Sequence, residues 1–253
     1  ISFMLGDLRE KLEPIGKLEL LDAVGDQAMR YFATLGERGT PKEMLARAVA
    51  LKQIGDVRFN QGELSPALKA FQQSLAQAEA LHRAEPSNND YLFELGQAEF
   101  WVGYVAWQRG ELDQANQSMQ RYLEYSEKLS GREPGNVDYK LEVSYALSNL
   151  GSIANAQSQP EKALEKFQAA AAIGEKLLDD NPANADLAMN LADTISWIGT
   201  SLLDLGQLKA ARAQFRKAAE IMRPFHQKGK DKRASDYYAR ILGLYGDAEY
   251  NAG

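Results

Sequence analysis

Apolar residues recur along this chain at spacings of three and four, the signature of helices that bury one face. Phe93, Phe100, Tyr104 and Trp107, with Gln97 between them, show the period over 93–107. Strong helix formers dominate and β-branched runs are missing. Breakers stand at intervals and leave the interiors clear. Gly62-Glu63-Leu64, Gly110-Glu111-Leu112 and Gly206-Gln207-Leu208 read as tight turns, and Ser158-Gln159-Pro160 takes that place once. Pro66 and Pro160 suit first helical turns, where a missing N–H is tolerated. Asp90, Asp138 and Asp186 read as helix N-caps. Pro134 and Pro182 end the helices before them. The pattern predicts pairs of antiparallel helices of about 20 residues, each about 30 Å long at 1.5 Å per residue.

The pairs form an internal repeat, the feature to seek first in such a chain. Gly55, Gly103, Gly151 and Gly199 follow one another at a constant step of 48 residues. Ala67, Ala115, Ala163 and Ala211 keep the same step, as do Phe71, Met119, Phe167 and Phe215. The loops repeat as Pro-x-Asn-x-Asp at Pro86, Pro134 and Pro182. This divides 40–231 into four units, about 40–85, 86–133, 134–181 and 182–231. A glycine inside a helix costs about 1 kcal/mol against alanine, so four in register need a packing reason. The expectation is close approach, with each glycine facing the alanine of the second helix and the Phe or Met filling the space beside it.

The ends depart from the register. Residues 1–39 read as a lead-in that caps the first unit. It has one apolar face at Met4, Leu8, Leu12 and Ile15, and a second over 17–36 at Leu20, Leu21, Val24, Ala28, Tyr31 and Phe32. Residues 232–253 read as a C-terminal cap resembling one more first helix, with Gly246 standing 47 after Gly199. Such caps solvate the ends of a stacked array. The start reads as cut from something longer and the end as natural.

Composition removes most chemistry. With 45% hydrophobic and 25% charged residues the 253-residue chain is of ordinary globular type. It has no Cys and two His, His82 and His226, which leaves little for a metal or a thiol nucleophile. The histidines stand 144 apart, three repeats, near the ends of second helices. Asp179-Asp180 reads as a solvated helix end and His226–Arg233 as a basic surface loop. There is no phosphate-binding Gly-rich loop, no nucleophile elbow and no signal peptide. No apolar run approaches the ~18 residues that a membrane span needs. A net charge of −6 argues against a nucleic-acid groove. The expectation is a chain without cofactor, metal or catalytic residue. The sequence does not fix the compartment: it slightly favours the cytoplasm and admits the periplasm if a membrane segment precedes residue 1.

An aliphatic-Gly pair, then Gly-x-Leu at a turn, then Ala with an aromatic four later, resembles the tetratricopeptide (TPR) repeat, most closely over 51–81. The 48-residue unit exceeds the usual 34, as in long-helix variants. Leu51, Glu99, Leu147 and Ile195 stand where a bulky aromatic is common. The loops PSNND, PGNVD and PANAD resemble TPR arrays of bacterial multidomain signalling proteins, which adjoin kinase, TIR or STAND-type ATPase modules. The resemblance implies an all-α, right-handed superhelical solenoid of four antiparallel hairpins, capped at both ends.

It also implies a concave face lined by first helices at positions three before, one after and four after each glycine. Those are Lys52, Asp56 and Phe59; Phe100, Tyr104 and Trp107; Ser148, Ser152 and Asn155; and Ser196, Thr200 and Leu203, with Tyr145 and Asp193 at the edge. Aromatic anchors beside adaptable polar groups suit a peptide groove, although aromatics at helical spacing also suit a core. Lys52 fits the carboxylate clamp of some TPR modules. Asp56 and Trp101 stand where that clamp needs Asn, so the clamp is rejected. The expected function is a non-enzymatic scaffold for a protein or peptide. Its alternatives are a spacer or oligomerisation module, with a homodimer contact through the terminal helices, and a small-ligand sensor.

Overall fold

The computed structural model describes residues 19–35, 38–227 and 232–250, and every regular element among them is an α-helix. They fall into two units, 1–132 and 133–253. The first contains α1 (Glu19–Leu35) and two hairpins, α2 (Pro41–Asn60) with α3 (Leu64–Ala84) and α4 (Asn89–Gln108) with α5 (Leu112–Arg132). The second contains α6 (Val137–Ala156) with α7 (Pro160–Asp180), α8 (Ala185–Asp204) with α9 (Leu208–Gln227), and then α10 (Lys232–Tyr250). First helices begin at 41, 89, 137 and 185 and second helices at 64, 112, 160 and 208, so both keep the 48-residue step.

The helix boundaries follow local chemistry. The three first-helix caps are asparagines, not the aspartates expected: Asn88, Asn136 and Asn184 each accept from the amides two and three residues on. Asp90, Asp138 and Asp186 lie inside the first turn instead, where a carboxylate favours the positive end of the helix dipole. Thr40 and Glu43 form a reciprocal capping box at α2. Gly62, Gly110 and Gly206 turn between helices with φ of +80, +78 and +71°, and Ser158 adopts φ 57° at the equivalent place.

The glycine column packs more tightly than expected and on a different partner. A Cβ at Gly55, Gly151 or Gly199 would stand 2.5, 2.8 or 2.6 Å from the ring of Phe71, Phe167 or Phe215. The glycine therefore faces the aromatic, while Ala67, Ala163 and Ala211 are buried beside it. At Gly103 the nearest atoms include the Ala115 carbonyl oxygen at 3.3 Å, beside Ser118 and Met119. Each ring is also covered from the next hairpin of its unit where a tryptophan is available. Trp101 stacks on Phe71 at 5.0 Å and 7°, and Trp197 on Phe167 at 6.0 Å and 11°. Both Phe side chains are fully buried.

The lead-in helix docks through Gly25, Ala28, Met29 and Phe32, in a cluster with Ile54 and Val57 of α2. Tyr31, expected on that stripe, is 55% exposed, because the helical period runs through 25, 28, 29 and 32. The stripe Met4–Ile15 and the side chains of Leu20, Leu21 and Val24 lie outside the described residues.

Candidate functional site

The aromatic stripe lies along α4 in the first unit. Phe100, Tyr104 and Trp107 are each half-buried. Tyr104 stands 5.7 Å from Phe100, near parallel, and 5.7 Å from Trp107. Phe59 of α2 closes on Tyr104 at 5.4 Å and on Trp101 at 5.9 Å. Phe100 also reaches Tyr122 of α5 at 5.5 Å. The face is thus the outer layer of an aromatic stack whose inner layer is Trp101 on Phe71. Rings packed against one another in this way have little room to change rotamer. Polar pairs rim the face: Lys52 with Glu94 at 2.8 Å, Asn60 with Asp56 at 3.5 Å, and Arg109 with Glu111 at 2.8 Å.

In the second unit the equivalent positions are polar and largely occupied with each other. Asn190 of α8 donates to the Tyr145 hydroxyl at 2.7 Å, and Asn155 donates to Ser201 at 3.2 Å. The Ser148 and Thr194 hydroxyls lie 3.4 Å apart. Ser152 and Thr200 each donate to a carbonyl one turn back, both at 3.2 Å. The first three contacts tie α6 to α8. Ser196 is not a surface group: it is buried, and its hydroxyl donates to the Ala192 carbonyl at 2.8 Å. α8 has a neighbouring first helix on both sides, α6 through the bonds above and α10 through Arg233–Asp186 and Arg240–Asp193. Burial pushes the Tyr145 hydroxyl above the ordinary tyrosine value, while the Asn190 hydrogen bond acts the other way. Burial also raises Tyr237, whose ring carries the Arg240 guanidinium 4.9 Å above it.

Two groups stand out that sequence reasoning passed over. Glu99, in a column otherwise filled by Leu51, Leu147 and Ile195, is buried and receives both a guanidinium Nε and an Nη2 from Arg121. Its signal was the single charge in an apolar column. Trp101 was weighed only against the carboxylate clamp, yet Trp101 and Trp197 are separated by two repeats, which marks them as one packing position. Among the described residues no group of acids or histidines could hold a metal, and no helix is long and apolar enough to cross a membrane. His82 lies beside Tyr125 and His226 stacks on Tyr238 at 4.8 Å, in different units. Asp179 and Asp180 are exposed in the last turn of α7. Of the basic stretch 226–233, residues 228–231 lie outside the described residues.

A family model for the tetratricopeptide repeat matches residues 192–222, in the α8/α9 hairpin, rather than 51–81 where the motif reads most strongly. Among solved structures, a kinesin light chain-like protein of nearly identical TPR-like repeats from Podosopora anserina superposes with a TM-score of 0.65 at 12% identity, over 88% of this chain and 95% of that one. The chain is a TPR-like helical-repeat protein. BtubC from P. vanneervenii is similar to this TPR-like protein with a TM-score of 0.59 at 15% identity, over 92% and 90% of the two chains. Aspartyl phosphate phosphatase F from Bacillus subtilis gives 0.60 at 15% identity, and the match spans 90% of this chain but only 55% of that one. At these identities the likeness concerns the fold. No curated protein sequence matches the chain.

Proposed function

We propose that this TPR-like protein is a protein-interaction scaffold whose first-helix face binds a partner segment, with Phe100, Tyr104 and Trp107 as the anchors. The observation that carries the reading is that aromatic layer, half-buried and pre-packed by Phe59 and Trp101. Rings so placed offer large apolar area with few rotatable bonds. In the second unit Tyr145, Ser148, Ser152, Asn155 and Thr200 form a separate polar candidate face, where a hydroxyl that donates within the fold still has lone pairs to accept with. Ser196 is left out of the site. The reading involves no covalent chemistry, and it places the array within a larger bacterial signalling or regulatory protein. The test compares the proteins captured by the wild type and by Tyr104→Ala, Trp107→Ala, with circular dichroism confirming an intact fold. Loss of specific partners in the double variant is expected. An unchanged set would remove the aromatic face from the site.

A second reading, an oligomerisation module, is favoured by α10. Ala239, Leu242 and Gly246 stand 47 residues after Ala192, Ile195 and Gly199. The latter three are buried, with Gly199 against Phe215 of α9, whereas Ala239 and Gly246 are exposed and Leu242 is 42% exposed. Light scattering of the wild type and Leu242→Glu discriminates the two: a dimer that the substitution dissolves supports this reading, and a monomer excludes it.

A further inference from the structure

His82 stands near the C-terminal end of α3 with a buried Nδ1 that has no hydrogen-bond partner. The Tyr125 ring of α5 lies beside it, with centroids 6.5 Å apart. From the same helix the Arg132 and Lys128 charges act on it. Arg132 is occupied: it donates to the Pro86 carbonyl at 3.1 Å, to the Ser87 carbonyl at 3.4 Å and to Asn89 Oδ1 at 2.9 Å. It therefore fastens the loop between α3 and α4, next to the Asn88 cap, onto the end of α5. The junction is particular to this place in the repeat. The 48-residue step puts Ser130, Leu178 and His226 at the position of His82, and Ala84, Asp180 and Lys228 at that of Arg132.

We propose that the His82–Arg132 junction is an acid-sensitive fastening, in which protonated His82 weakens the hold of Arg132 on the Pro86–Asn89 loop and loosens the start of α4. Imidazolium needs acceptors at both nitrogens, and the buried Nδ1 has none. The new cation would stand in the field of two others, which is unfavourable. The remaining ionisable groups do not offset this. On α3 lie Glu79 and Arg83, and at its end Glu85 accepts from the Asn88 side chain at 3.3 Å. At the start of α2, Glu43 is engaged by Thr40 and Arg47 donates to the Arg38 carbonyl. At the start of α4 lie Asp90 and Tyr91, and on α5 Glu124 pairs with Lys128 at 2.7 Å. Burial first, then Arg132 and Lys128, lower the His82 value from its usual 6.5. The sign follows. The folded state favours neutral His82, so the contribution is complete above pH 6.5 and declines as the pH falls below it towards the lower folded value.

The test is backbone amide exchange at residues 86–92, corrected for its intrinsic pH dependence, at about pH 7.5 and about pH 5, on either side of the ordinary histidine value. The wild type and His226→Gln should lose protection there in acid. His82→Gln should stay protected at both values. Arg132→Gln should be unprotected at both, because the fastening itself is gone. Acid opening of His82→Gln equal to that of the wild type would overturn the proposal. So would a wild type that does not open, or an Arg132→Gln variant as protected as the wild type at both values.

Discussion

Gly55→Ala isolates the contact on which each hairpin depends. The added Cβ would stand 2.5, 2.7 and 2.8 Å from three ring atoms of Phe71, against the ~3.5–4.0 Å of a relaxed carbon contact. The ring must retreat by about 1 Å, but it is fully buried and Trp101 lies flat on it at 5.0 Å. Overpacking of this kind costs about 1–3 kcal/mol, while exchanging Gly for Ala in a helix returns about 1 kcal/mol. The net expectation is a loss of about 1 kcal/mol, with Gly55→Leu losing more. Gly246→Ala is the internal control, because it shares the helical setting and a Cβ there meets nothing within 4 Å. It should gain about 0.5–1 kcal/mol. Urea unfolding followed by circular dichroism reads both, and Phe71→Leu should relieve part of the Gly55→Ala loss. A Gly55→Ala protein as stable as the wild type would refute the close-approach account of the column.

Three further outcomes follow from particular contacts. Glu99→Leu, which restores the aliphatic column, should be neutral or mildly stabilising, whereas Arg121→Ala strands a buried carboxylate; denaturation should show a loss of about 2 kcal/mol, below the ~3–5 of a fully buried pair because Arg121 is half-exposed. Ser158→Gly should raise the melting temperature, since it removes the roughly 1–2 kcal/mol of left-handed strain that Gly62, Gly110 and Gly206 avoid. Asn136→Ala should cost about 1 kcal/mol through loss of the cap, and Asp138→Ala only ~0.3–1 through the helix dipole; equal losses would restore aspartate as the cap.

The caps show how close the sequence reading came. An Asn and an Asp two residues apart occur in all three Pro-x-Asn-x-Asp loops, as Asn136 and Asp138 do, and both residue types cap helices, so type alone could not choose between them. The choice rests on which side chain sits just outside the first turn with its oxygen at the following amides. The same limit applies to Ser148 and Ser196, identical residues one repeat apart. One is half-buried in α6, while the other is buried in α8, which lies between α6 and α10.

Among the described residues, helix length and register were legible in the chain itself, because amphipathic period, turn glycines and prolines act locally and recur every 48 residues. What touches each glycine was not, since a ring and an alanine in the same second helix both lie within reach until the crossing is formed. Tertiary packing alone set Phe71 against Gly55, laid Trp101 over that ring, and so left Phe100, Tyr104 and Trp107 half-buried as an outer layer. Periodicity can place side chains on a face, but only the neighbouring helices decide how much of that face remains open to a partner.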